Sequence, residues 1–172
     1  MNTERVILVD ENDLELGTEE KLKAHREALL HRAFSVFIFN SAGELLLQQR
    51  AREKYHSPGL WTNTCCSHPR PGENTLAAAH RRLQEEIGLN CELKQVFSFI
   101  YKAELDQGLT EHEFDHVLFG LSDAKPALNQ VEVQDYQYIA ASEVDHLLEK
   151  TPEQFTEWFK ICWPTVKTHF SV

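Results

Sequence analysis

The segment from Asn74 to Gly88 constrains the fold most tightly. Its body, Leu76 to Glu86, consists largely of strong helix formers. Asn74 can accept hydrogen bonds from first-turn N–H groups, and Gly88 stands where a left-handed C-cap is expected. A helix fixed at both ends, following the extended stretch Trp61 to Pro69, makes a strand–loop–helix unit. That unit also gathers Cys65, Cys66, His68, Glu85 and Glu86. Each is costly to bury unless it is paired, hydrogen-bonded or bound to a metal, so a chemical role is the first hypothesis.

The remaining pattern predicts an α/β (α+β) single domain: a mixed β-sheet flanked by helices. Val6 to Val9 reads as a short strand, and Ala33 to Phe39 turns at Asn40–Gly43 into Leu45 to Arg50 as a hairpin. Leu93 to Leu105 and Glu113 to Leu121 read as strands around Asp106-Gln107-Gly108, and Val131 to Ile139 as another. Ser142 with Asp145 resembles a capping box. Thr151-Pro152 resembles an N-cap followed by a first-turn proline, so two helices are expected to close the chain, with Pro164 kinking or ending the second. Within the helix of residues 74–88, Leu76, Ala79, Leu83 and Ile87 form the expected packed stripe. A chain of 172 residues can bury about 70% of its unfolded surface in one core, and no repeat or linker divides it.

The net charge of −10 excludes a sequence-independent grip on nucleic acid, which needs clustered cations. A small anionic substrate stays open, because a few cations or a metal can invert the potential of one pocket. The longest apolar run, around Val36 to Phe39, is too short to span a bilayer, and Met1 to Arg5 lacks the features of a signal peptide. A cytoplasmic protein is expected, with no membrane partner and with the four cysteines, at 65, 66, 91 and 162, as reduced thiols. A monomer is the expectation and a homodimer the alternative.

If Thr64 to His68 is extended, Cys66 and His68 share a face while Cys65 and Ser67 point away. By the same alternation Glu111 and Glu113 project together, with His112 opposite. His25 and His31 precede the first long strand, where a loop could fold them over the sheet. Three imidazoles and two carboxylates suit Mn, Fe, Zn or, less naturally, Mg. Alone, each piece has a blander reading: a satisfied histidine, an exposed strand face, a small buried thiol, a solvated Glu85-Glu86 pair. Their joint occurrence carries the functional one. His56, His80, His116, His146 and His169 have no comparable context and receive no role.

From Ser67 to Leu89 the chain resembles a Nudix box, G-x5-E-x7-R-E-U-x-E-E-x-G-U, with Glu73, Arg81, Leu83, Glu85, Glu86, Gly88 and Leu89 in register. Ser67 replaces the first glycine, and Arg82 replaces the glutamate after the arginine. Together with His25, His31, Trp61-Thr62-Asn63 before Cys66-Ser67-His68-Pro69, and Glu111-x-Glu113, the chain from Lys21 to about Trp158 is similar to the type I isopentenyl-diphosphate delta-isomerases. The resemblance implies a Nudix-like core over about 30–162, within a single domain 1–172, and an N-terminal metal-ligand segment 1–32. It implies a divalent metal (Mn, Zn or Mg) held by His25, His31, His68, Glu111 and Glu113. It implies Cys66 and Glu113 as the catalytic acid and base pair, with Tyr101 relaying, and Glu86 on a second Mg bound with the substrate diphosphate. Lys21, Arg50, Lys54 and Arg82 match its diphosphate positions, and Tyr101 and Trp158 its pocket aromatics.

Such an enzyme would shift the double bond of a prenyl diphosphate. One carbon gains a proton and another loses one, so two groups are needed on opposite faces. A metal-bound carboxylic acid at Glu113 is a strong acid, Trp158 offers a face to a tertiary carbocation, and Cys66 is expected to be partly thiolate. The alternative enzyme is a Nudix diphosphohydrolase acting on a nucleoside or prenyl diphosphate, which would need several helix carboxylates on metal. A non-catalytic metal or prenyl-diphosphate binding module is the third reading; it leaves the thiol unexplained.

Overall fold

A computed structural model describes residues 3–170. In chain order these form β1 (Arg5–Val9), β2 (Glu15–Glu20), α1 (Lys21–Arg26), β3 (His31–Phe39), β4 (Leu45–Arg50), β5 (Trp61–Thr62) and β6 (Cys65–Ser67). There follow α2 (Thr75–Ile87), β7 (Leu93–Glu104), β8 (Thr110–Leu121), β9 (Val133–Ile139), α3 (Ala141–Lys150) and α4 (Glu157–Phe170). Among the described residues, no helix is long and apolar enough to cross a membrane.

The nine strands form one mixed sheet. β3 lies parallel to β8 along its whole length, from His31 opposite Glu113 to Phe39 opposite Leu121, and β7 pairs antiparallel with the other edge of β8. The expected hairpin between β3 and β4 closes only at its turn. Asn40 Oδ1 accepts the N–H groups of Ala42 and Glu44, and Phe39 pairs with Leu45. Beyond that pair the strands diverge. β4 turns to β9 and β5, while β3 takes β6. In the gap, Thr64 stands in for the missing ladder: its hydroxyl accepts from Ile38 N (2.9 Å) and donates to Leu46 O (2.6 Å). The ladder is lost because β6 needs the edge of β3 that a full hairpin would occupy.

Alternation along the strands divides the core into two layers. Phe34, Val36, Ile38, Leu46, Cys65 and Leu118 meet Ala78, Ala79, Leu83 and Ile87 of α2 on one face. Phe37, Phe39, Leu45, Leu47 and Val117 meet Val144 of α3 and Phe159, Trp163 and Val166 of α4 on the other. Each of the larger aliphatic and Phe side chains among them, fully buried, contributes about 1.5–3 kcal/mol before the ordering cost.

The cap residues of α2 act as their types predict. Asn74 Oδ1 accepts from Leu76 N (2.9 Å) and Ala77 N (3.2 Å), and Gly88 adopts φ 65°. Glycine is doubly required there, since a Cβ at 88 would lie 2.7 Å from the Cβ and carbonyl oxygen of Ala127. The buried stripe is rotated from expectation toward Ala78 and Glu86, which leaves Leu76 at its outer edge, 43% exposed. Three other local expectations are corrected. Ala140, not Ser142, is the N-cap of α3, and Asp145 instead accepts from Trp163 Nε1 and Lys167 Nζ, tying α3 to α4. Thr151-Pro152 opens a single 3-10 turn, with the Thr151 hydroxyl donating back to Leu147 O, and α4 begins later at Glu157. Pro164 lies inside α4 without ending it; one lost N–H bond is outweighed where Trp163 and Val166 are buried beside it.

Between α2 and its preceding loop, Arg81 grips Glu73 through Nε (2.7 Å) and Nη2 (2.9 Å), while Glu73 Oε2 also accepts from Arg70 N (2.8 Å). The Arg81 hydrogen bond holds the Glu73 carboxyl below its ordinary 4.5. Glu73→Gln should cost roughly 1 kcal/mol and lower Tm by about 2–4 °C at pH 7, after allowing for solvent screening. Because the folded-state value is depressed, this contribution is complete above 4.5 and is lost as pH falls through the lower folded value. Thermal melts of the pair at pH 7 and in acid check both the size and its disappearance.

Candidate active site

The divergence of β3 and β4 leaves a cleft bordered by β6, β8, α1, α2 and α4. Beside it gather the histidines and glutamates. His25 lies in the last turn of α1, His31 opens β3, His68 follows β6, and Glu111 and Glu113 lie on β8. His31 is paired across the strands with Glu113, and Glu113 with Tyr101. Sequence alternation is borne out: Cys65 enters the core while Cys66 and His68 border the cleft, and His112 points away to Ala28 O (2.8 Å). Ser67, expected to point away, also borders the cleft.

His25 Nδ1 lies 2.7 Å from Lys21 O, and His31 Nδ1 lies 2.8 Å from Leu29 O. A carbonyl oxygen only accepts, so both Nδ1 atoms carry hydrogen and both Nε2 atoms face inward, as lone pairs whenever the rings are neutral. His31 Nε2 is 3.2 Å from His68 Nε2, which is 2.7 Å from Glu113 Oε2, while His25 Nε2 is 3.2 Å from Glu111 Oε2. The donor atoms of His25, His31, His68 and Glu111 all lie within 4.8 Å of one another. Glu113 touches two of these imidazoles, adding His31 Nε2 at 3.4 Å. His25 Nε2 and Glu111 Oε2 are buried and have no hydrogen-bond partner among the described residues. Converging lone pairs and carboxylates of this kind repel unless a cation lies among them, so the group can hold a divalent metal, and its nitrogen-rich donors fit a transition ion.

The local electrostatics follow from burial and these contacts. Burial, reinforced by the charge of His31, drives His68 far below its ordinary range. For His25 burial acts downward, but the adjacent Glu111 carboxylate carries it above its usual value. Burial works to raise Glu113, yet His31 and the hydrogen bond donated by Tyr101 hold it low, so it is ionised. Cys66 departs from expectation: burial pushes its thiol up, Arg50 only partly offsets this, and the sulfur is protonated.

Two residues in or beneath the site went unread in the sequence. Asp115 continues the Glu111, Glu113 alternation and is buried, held by Ser35 Oγ at 2.7 Å; burial and the charge of Glu113 raise it well above the carboxylate range. The i, i+2, i+4 spacing of three acids was a signal for it. His56, given no role above, borders the cleft with its ring stacked 6.0 Å from His25, edge-on 5.8 Å from Trp158, and Nε2 3.6 Å from Glu111 Oε1. Burial, aided by Arg50, lowers it to about 3, so its imidazole is neutral. It sits in an irregular loop, where no periodicity could have pointed to it.

The cleft also carries a set of cations. Lys21, Arg50, Lys54 and Arg82 all border it, with Glu86 and Trp158. Lys21 pairs with Glu4 at 3.0 Å and Lys54 with Glu132. Arg50 donates to the carbonyls of Ser57 and His56 (3.2 Å each), and its guanidinium lies 5.2 Å from the Trp158 ring. Arg82 meets Glu86 Oε1 at 2.6 Å and Glu85 Oε2 at 2.7 Å, and Gln48 Nε2 donates to Glu86 Oε2 at 3.0 Å.

A model of the NUDIX domain matches residues 29–159. The chain is 54% identical to the isopentenyl-diphosphate delta-isomerase of Pectobacterium atrosepticum, over 96% of this chain and 92% of that protein. It is 53% identical to the protein of the same name from Serratia proteamaculans, over 91% and 87%. Among solved structures, a MutT protein from Methanosarcina mazei superposes with a TM-score of 0.68 at 17% identity, covering 83% of this chain and 96% of that one. A Nudix hydrolase from M. smegmatis gives 0.58 at 16%, covering 94% and 92%. The structural likenesses carry the fold alone, whereas the near full-length identities carry more: the chain belongs to the NUDIX family and, within it, to the isopentenyl-diphosphate delta-isomerases.

Proposed function

We propose that the protein converts isopentenyl diphosphate to dimethylallyl diphosphate, with Cys66 and Glu113 exchanging protons with the substrate. The carrying observation is that a protonated thiol and an ionised carboxylate border one cleft, which is also lined by four cations and adjoins the histidine–glutamate cluster. A divalent ion, Mn or Zn in preference to Mg, fits His25, His31, His68, Glu111 and Glu113, and when bound it would stabilise the ionised form of Glu113 and so strengthen its acid.

The chain's own residues supply the rest. Lys21, Arg50, Lys54 and Arg82 bind the diphosphate, and Glu86, held by Arg82 and Gln48, would help hold a magnesium bound with it. This anchoring leaves the hydrocarbon between the thiol and the carboxylate. One group gives a proton to the alkene, and the other takes one from the carbon two bonds away; each turnover leaves their protonation states exchanged, so the same pair serves the reverse reaction. Tyr101 donates to Glu113 and relays its proton. Trp158, whose ring already carries the Arg50 guanidinium, offers an aromatic surface to positive charge developing on the substrate. Buried His56 and Trp158 keep water from that charge. The reading takes the enzyme as a cytoplasmic monomer, whose net charge of −10 opposes self-association.

Diphosphate hydrolysis fits less well. Arg82 stands where the box has a glutamate and pairs with Glu85, so the helix offers fewer carboxylates to metal than a hydrolase would commit. NMR of isopentenyl diphosphate incubated with enzyme and Mg in heavy water should reveal dimethylallyl diphosphate carrying deuterium. Prior treatment with a strong chelator should abolish turnover, and Mn or Zn should restore it. Release of phosphate or pyrophosphate without double-bond movement would sink the proposal.

A further inference from the structure

The turn before β9 contributes a carboxylate that the reading above leaves unused. Glu132 reaches both Lys54, through an ion pair, and Arg82, whose Nη2 lies 3.3 Å from Oε1. It does so from outside the cleft, whose lining includes the two cations but not Glu132. Its backbone is strapped on both sides: the N–H donates to Asn129 O (2.9 Å), and the carbonyl accepts from Ala51 N (3.1 Å). Asn129 N in turn bonds to Glu86 O at the end of α2 (3.0 Å). The carboxylate thus bridges a loop carrying Lys54 and a helix carrying Arg82, and its side chain is only 22% exposed.

Donor accounting shows what this bridge leaves over. Arg82 Nη1 is taken by Glu85, and Nη2 by Glu86 and Glu132. All three carboxylates fall on the terminal nitrogens, and the buried Nε has no hydrogen-bond partner among the described residues. A buried N–H of a cation without an acceptor is one that a ligand oxygen would satisfy. An ammonium has three donors, and Glu132 occupies one of those on Lys54.

We propose that Glu132 is a positioning residue for the diphosphate, holding Lys54 and Arg82 from behind so that their remaining donors converge on phosphate oxygens. This rests on Lys54 and Arg82 binding the diphosphate. Two effects oppose each other when Glu132 loses its charge: the pocket becomes more positive, and the cations lose their anchor. Positioning wins, because the charge of Glu132 is already compensated by contact with two cations. Lys54 also has a flexible stem and no other side-chain hydrogen bond among the described residues, so its ammonium swings away once released.

Steady-state kinetics and inhibition by inorganic pyrophosphate test this on the full-length enzyme. Glu132→Gln keeps the volume and the backbone straps. It should raise both KM and the pyrophosphate inhibition constant about tenfold while kcat stays within about threefold, and Glu132→Asp should recover part of the loss. In a Lys54→Met background the added effect of Glu132→Gln should shrink to less than about threefold. Unchanged or tighter pyrophosphate binding in Glu132→Gln, or a fall in kcat alone, overturns the positioning role. If Lys54→Met itself leaves pyrophosphate binding unaltered, it is the diphosphate reading of that lysine that fails.

Discussion

Glu113→Gln is expected to lose about 10³–10⁴-fold in kcat, roughly 4–5.5 kcal/mol of barrier, together with much of its bound metal. The carboxylate accepts from Tyr101 on one oxygen and lies 2.7 Å and 3.4 Å from two histidine nitrogens on the other. An amide keeps the shape but brings no charge to the imidazoles and turns one oxygen into a donor aimed at another donor or a cation. It cannot hold a transferable proton. Activity assays with parallel metal analysis of purified wild type and mutant provide the check. Near-normal turnover with normal metal content would remove Glu113 from the mechanism.

The second large effect separates two adjacent thiols. Cys66→Ala should reduce isomerisation by about 10²–10⁴-fold, the span expected when a positioned proton donor or acceptor is lost, with metal content unchanged. Cys65→Ala should leave turnover within a few-fold and instead cost roughly 1 kcal/mol of stability, because that side chain packs with Val36, Leu46 and Ala79 in the core. A one-residue difference in position therefore predicts a difference in kind, caused by strand alternation alone. Turnover, metal analysis and thermal melts on the two mutants suffice. Full activity in Cys66→Ala would sink the acid–base pair.

Legibility of the molecule in its sequence followed the range of the forces involved. Asn74 and Gly88 announce α2 because capping is decided within a few residues. Cys66 with His68, and Glu111 with Glu113, were readable because period two is a property of the strand itself. Failures occurred where distant contacts overrode local pattern. Asp145 is drawn from its capping role by Trp163 and Lys167 of another helix, and α4 passes through Pro164 because its flank is buried. His56 gains its surroundings only when Trp158 and His25 arrive from opposite ends of the chain. The thiolate expectation for Cys66 failed similarly, since the depth of a residue below the surface is not written in its neighbours along the chain.

Thr64 bridges two strands that have ceased to be partners, and this has a bearing on how such a scaffold diversifies. Where a sheet parts, the walls of the opening come from separate stretches of chain, each anchored elsewhere. The loop bearing Lys54 and His56 lines that opening while lying outside every strand and helix. Exchange of its side chains can therefore alter which molecules are admitted while the ladders between β3 and β8 and between β4 and β9 remain as they are. New chemistry can be acquired here by rewriting a seam, with the fabric on either side left whole.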